Sequence, residues 1–125
     1  MFNYIFQNNP TYGHALIDVI LEDYECLQEK KWLNDTIIDF CLQNLKMSLK
    51  EGDRIHIFST QFFTSLTSKL TEYEANSGKS QAQIRYERVK NWTKNINLFE
   101  KDFVVVPINE THHWFAAVIC SLESE

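Results

Sequence analysis

The stretch from Phe103 to Cys120 reads Phe-Val-Val-Val-Pro-Ile-Asn-Glu-Thr-His-His-Trp-Phe-Ala-Ala-Val-Ile-Cys, and it limits the fold more tightly than any other part of the chain. Two apolar, β-branched runs, Phe103 to Val106 and Trp114 to Cys120, flank a polar connection at Asn109 to His112, which is the pattern of a β-hairpin. Both arms are near-continuously apolar, so the reading expects both to be buried. A histidine placed where the turn re-enters the second strand has its backbone held by the ladder and its ring at the rim of the sheet. That is a suitable seat for a general base. His112 and His113 read equally as plain turn residues, and this stretch by itself favours the plainer reading.

The hairpin needs a core to sit on, and the composition supplies one. Of 125 residues 44% are hydrophobic, with only three Gly and two Pro, which places the chain among globular proteins at about one domain's worth of length. The formal net charge is −5 and the Lys and Arg residues are scattered. Without a basic stripe to meet a phosphate backbone, nucleic acid is not expected as a direct partner. No apolar run approaches the ~20 residues of a membrane helix, and no charged-then-apolar leader opens the chain, so a soluble, non-secreted protein is expected. Cys26, Cys41 and Cys120 lie in apolar periodic segments without CxxC spacing. They read as buried reduced thiols in a reducing compartment, with neither a metal site nor a bridge, and no cofactor is expected.

Taken in order, Met1 to His14 is an irregular lead-in, Ala15 to Ile20 a short strand, and Leu21 to Lys30 a short amphipathic helix. The clearest helix is predicted over Asp35 to Lys50. Asn34 is its N-cap, Asp35 favours the positive end of its dipole, and Leu33 with Ile38 stand at the positions of a hydrophobic staple. Its apolar face is Ile37, Ile38, Cys41, Leu42, Leu45 and Leu49, and Gly52 is placed to stop it. Ile55 to Phe58 is one extended step, after which Ser59 or Thr60 caps a helix carrying Phe62, Phe63, Leu66 and Leu70. Phe58, Phe62 and Phe63 are the expected core anchors. Glu72 to Ser80 has the composition of a surface loop. Gln81 to Trp92 is helix again, with Ile84, Val89 and Trp92 inward and a basic face of Arg85, Arg88 and Lys90, and Asn95 to Asp102 crosses into the hairpin.

Several short motifs recur here in a known order: Trp32-Leu33-Asn34-Asp35 followed by Ile37-Ile38-Asp39-Phe40, then Phe58-Ser59-Thr60 with Phe62-Phe63, Trp92-Thr93-Lys94, Pro107-Ile108, and His113-Trp114. In this order they resemble the Ulp/sentrin-specific cysteine proteases, which process and deconjugate the ubiquitin-like modifier SUMO. The likeness runs from about Ile17 to Cys120, and the Val-Ile-Cys ending of the hairpin is most similar to the branch with long loop insertions. The resemblance implies an α+β, papain-like cysteine protease fold, of which residues 1–125 are the N-terminal helical part and the first strands of the central sheet. It also implies a nuclear hydrolase, or otherwise a cytoplasmic one, acting as a SUMO isopeptidase.

The same resemblance gives roles to particular residues. His113 matches the catalytic histidine that takes a thiol proton, while His112 falls where function is variable. Trp32 and Trp114 match two indoles that clamp a Gly-Gly tail in a narrow tunnel, which only a residue without a side chain can enter. Asp35 matches a carboxylate that pairs with a basic residue of the modifier. Gln61 stands where an aromatic residue is usual beside Phe62-Phe63, a departure that bears on modifier choice. Taken without the resemblance, Trp32 reads as core at a helix entry and Asp35 as a residue serving its own helix dipole.

In such enzymes the Asp, the oxyanion-hole Gln and the Cys follow the His-Trp hairpin, and no match to them falls within residues 1–125. Cys120 is seven residues beyond His113 in an extended run, so some ~23 Å from it at strand rise. The expectation is a chain active only with a second polypeptide that supplies Asp, Gln and Cys. The alternatives are a non-catalytic scaffold that binds a ubiquitin-like modifier, and a protease for a modifier other than SUMO.

Overall fold

The computed structural model describes residues 17–122. Its sheet has three strands in the order β1 (Ile55–Ile57), β2 (Phe103–Glu110), β3 (His113–Cys120). β1 runs parallel to β2, with Ile55, His56 and Ile57 opposite Phe103, Val104 and Val105. β2 and β3 form the predicted antiparallel hairpin, from Phe103 opposite Cys120 to Glu110 opposite His113. The connection is tighter than expected, because Asn109 and Glu110 belong to the strand and only Thr111 and His112 make the turn. Both have positive φ, 50° and 62°, the geometry of a two-residue turn whose twist matches the strands and which usually selects Asn-Gly. A β-branched residue such as Thr111 is rare there, and the left-handed region costs an L-residue roughly 1–2 kcal/mol.

Alternation along β2 turns Val104, Val106 and Ile108 to one face, where with Phe58 they make the core cluster. Val104 is 1% exposed. Phe62 and Phe63 of α3 (Gln61–Thr67) and Leu98 of the 3-10 turn Leu98–Glu100 pack on that cluster. Phe58 and Phe62 stack at 3.7 Å between ring centroids, and Trp92 meets Phe62 edge-on at 5.6 Å. The three expected aromatic anchors are therefore together. The second arm differs from expectation: β3 is exposed along most of its length, Phe115 and Val118 by 50% and 55%. Its apolar run suits burial, but among the described residues no element packs over it.

The helix α2 (Asp35–Ser48) begins where predicted, with the Asn34 side chain accepting from the Ile37 backbone N–H at 3.0 Å, and it stops two residues before the expected end. Ile37 is buried, but Cys41, Leu45 and Leu49 are exposed, so only part of the predicted apolar stripe is covered. Gly52 does not stop the helix. It opens the 3-10 turn Gly52–Arg54 and lies so close to the backbone of Lys46 that a Cβ would collide with that residue's carbonyl. The thiols also depart from expectation: Cys26 is half-buried and Cys41 and Cys120 are exposed.

Smaller corrections concern the connections. Residues 17–20 form no strand, Ala15 and Leu16 lie outside the described residues, as does the lead-in Met1 to His14, and α1 (Leu21–Glu25) covers only the first half of the predicted helix. The expected loop at Glu72 to Ser80 contains a short helix, α4 (Glu72–Ala75), closed by a capping box between Thr71 and Glu74. α5 (Gln81–Val89) continues as the 3-10 turn Lys90–Thr93. Arg88 is not part of a solvated basic face. It donates to both Glu74 carboxylate oxygens and to the carbonyls of Ser65, Ser68 and Lys69, fastening α4 to the end of α3.

Candidate functional site

The elements meet at the turn end of the hairpin. Trp32 sits in the extended segment before α2, 64% exposed, and the N-cap at Asn34 fixes that segment. The Asn34 amide also donates to Asp23 of α1 at 2.7 Å, which ties the segment on its other side. Across from it, the turn into β3 presents His112, His113 and Trp114. The Trp114 indole Nε1 donates to the Leu33 carbonyl at 2.8 Å. The His113 ring stands edge-on to the Trp32 indole, with centroids 6.1 Å apart and planes at 83°, and the His112 ring lies at 5.7 Å and 33°. Residues 80 apart in the chain thus form one cluster, with an imidazole between solvent and an indole.

Asp35 and Gln61 form a second part of this surface. The Gln61 Nε2 donates to Asp35 Oδ2, joining the first turn of α2 to the first turn of α3. Asp35, which the dipole argument placed alone at its helix start, is shared with a neighbouring helix. One residue escaped the sequence reading. Asp39 accepts from the Thr60 backbone N–H at 2.8 Å and from its hydroxyl at 3.0 Å, so it fastens the residue that precedes α3 to α2. Thr60 makes no cap bond of its own, and Ser59 supplies one to the Gln61 N–H. Burial raises the Asp39 carboxyl above its ordinary range, against the hydrogen bonds from Thr60 and with help from the negative charge of Asp35. The spacing Asp39…Thr60 carries no local signal that could have revealed the pair.

Strand alternation sets the geometry of the thiols relative to His113. His113 and Cys120 differ by an odd number of positions along β3, so they project from opposite faces of the sheet. No group of three or more His, Cys, Asp or Glu among the described residues is arranged to hold a metal ion. No helix among them is long and apolar enough to cross a membrane. A groove of about 520 Å³ lies elsewhere, between α4 and α5, and is lined by the Arg88–Glu74 and Lys79–Glu87 pairs. It contains none of Trp32, His113 or Trp114.

A parallel pair extended by an antiparallel hairpin, with helices before it and packed on it, is the α+β, papain-like arrangement of cysteine proteases. A crystal structure of a de-sumoylating protease superposes on 86% of this chain with a TM-score of 0.66 and 31% identity, using 39% of that chain. The C-terminal Ulp1 protease domain solved in complex with Smt3, the yeast ortholog of SUMO, matches 83% of this chain and 40% of its own, with a TM-score of 0.63 and 25% identity. The family model for the Ulp1 protease family, C-terminal catalytic domain, matches residues 31–124, and the chain belongs to that family. It is 46% identical over 120 residues to sentrin-specific protease 7 of Homo sapiens, an alignment covering 93% of this chain and 11% of that protein. The chain thus spans about a tenth of the length of that relative.

Proposed function

We propose that residues 1–125 are the N-terminal part of a single catalytic domain of a SUMO-directed cysteine protease, and that His113 is its general base. The observation that carries this reading is the convergence of the His113 imidazole with the Trp32 indole, beside a Trp114 anchored on the Leu33 carbonyl. The Trp32 indole set against the imidazole, with Trp114 tied to the neighbouring Leu33, suits a slot for a tail that ends in glycines, since flat walls leave room for a backbone without side chains. In the proposed reaction His113 takes the proton of a cysteine thiol. The thiolate attacks the carbonyl carbon after the Gly-Gly segment, the leaving amine takes the proton back from the imidazolium, and water then hydrolyses the thioester.

The nucleophile in this reading lies outside residues 1–125: Cys120 is on the other face of β3 from His113 and some ~23 Å along the strand, and Cys26 and Cys41 fall within the helical part and match no catalytic motif. The Asp and the oxyanion Gln come with it, on polypeptide that also covers the apolar, exposed side chains of β3; an uncovered edge of this kind invites aggregation. Asp35 and Gln61 form the neighbouring contact surface for the modifier, with the carboxylate turned between its Gln61 partner and a basic group of the modifier. Nuclear residence is part of the same proposal and rests on the family.

A SUMO bearing a C-terminal electrophile, mixed with the complete catalytic domain, tests the reading. A covalent adduct is expected, formed at least ~100-fold more slowly in His113→Ala, as for loss of a general base. Labelling unchanged by that substitution would remove His113 from the mechanism. Complete absence of labelling would favour a scaffold that binds the modifier without chemistry.

A further inference from the structure

We propose that His112 is a positioning residue: its imidazole holds the Trp32 indole in place before the modifier's tail arrives. The inference rests on the slot reading above and adds to it a residue that acts through Trp32 rather than on the reacting atoms. Three observations carry it. His112 occupies a left-handed backbone position, φ 62°, next to Thr111 at φ 50°, in a turn where Asn-Gly would sit without strain. Strain of this kind persists where the side chain makes a contact that offsets it. That contact is the ring pair with Trp32, at 5.7 Å and with the two planes only 33° apart.

The second observation is what Trp32 lacks. Its indole is 64% exposed, and the segment that carries it is extended, held at Asn34 and at the Leu33 carbonyl but not at the ring. Among the described residues, the rings set against it are those of His112 and His113. The third is the difference between those two contacts. His113 stands nearly perpendicular to the indole, at 83° and 6.1 Å, while His112 lies nearer and closer to parallel, at 33° and 5.7 Å. The two histidines at the turn thus divide the work: one is placed for chemistry and the other for holding the wall. An indole fixed beforehand loses less rotamer freedom when the tail enters. The effect therefore falls on the concentration of modifier that half-saturates the enzyme rather than on the limiting rate.

The test uses the complete catalytic domain and the same electrophilic SUMO, with His112→Gly, His112→Phe and Trp32→Ala. His112→Gly is expected to raise the half-saturating concentration roughly 2- to 10-fold, the worth of one aromatic pair, with the limiting labelling rate unchanged. His112→Phe, which keeps the ring, is expected to return it to within about twofold of the parent. Thermal melting gives an independent reading of the contact. Relief of the left-handed strain makes His112→Gly stabilising, and the gain should be larger by about 1–4 °C when Trp32 is already Ala, because no ring contact is then lost. Equal gains in both backgrounds, or a limiting rate that falls with half-saturation unchanged, would overturn the proposal for His112. If Trp32→Ala leaves labelling untouched, the slot itself is wrong. If Trp32→Ala weakens labelling and His112→Gly does not, only the role given to His112 fails.

Discussion

His56 offers a pH-dependent test of how the sheet beneath the hairpin is built. It lies in β1 opposite Val104, meets Phe58 edge-on at 4.5 Å, and its Nε2 has no hydrogen-bond partner among the described residues. Burial, reinforced by the positive charges of Lys46 and Lys101, pushes its pKa down to about 4 from 6.5. Above pH 6.5 the ring is neutral in both folded and unfolded chains and the stability does not depend on it. Below that, the unfolded chain takes up a proton that the folded one refuses, so stability falls as pH falls, by about 1.4 kcal/mol per pH unit at most, until the folded ring also titrates near pH 4. Between pH 7 and pH 5 the loss comes to about 2 kcal/mol. His56→Phe preserves the aromatic contact with Phe58 and cannot titrate. Urea unfolding of the catalytic domain at both pH values should show the parent losing about 2 kcal/mol more than the variant. The variant's own pH dependence accounts for the carboxylates. Parallel losses in the two proteins would mean that His56 is hydrated or paired in the folded state, and the burial argument would be wrong.

Three further outcomes follow from the packing. Asn34→Ala removes the cap bond to Ile37 and the link to Asp23; it should lower stability by about 1 kcal/mol in urea melts and weaken labelling by the SUMO probe, because the same residue seats the Trp32 segment. Gly52→Ala should destabilise markedly in a thermal melt, since the added Cβ meets the Lys46 carbonyl and a backbone carbonyl cannot swing away. Arg88→Met should free α4, seen as faster amide exchange over Glu72–Ala75 with exchange in β2 unaltered. The Arg88 guanidinium holds the Glu74 carboxyl down at about 2. In the parent the α4 contact should therefore persist from neutral pH down through 4.5 and be lost only as the pH approaches 2.

The chain order of motifs and local patterning already determined much of this protein. Asn34 caps the residues it was expected to cap because capping is a bond between near neighbours, and the apolar run from Phe103 marked a strand, whose period of two then put Val104, Val106 and Ile108 on the core face. The same local logic placed Phe58, Phe62 and Phe63 together. Tertiary structure decided whatever depends on what lies across a gap. Cys41, Leu45 and most of β3 have the composition of buried residues and are exposed, because hydrophobicity states a preference and only a covering element can satisfy it. Asp39 holds Thr60, 21 residues away at the start of a helix, Gln61 reaches Asp35, and the Trp32 ring meets two imidazoles 80 residues later. No periodicity encodes such encounters. They arise because the parallel pairing of β1 with β2 and the tight turn at Thr111 and His112 bring the start of α2 and the rim of the hairpin to the same place.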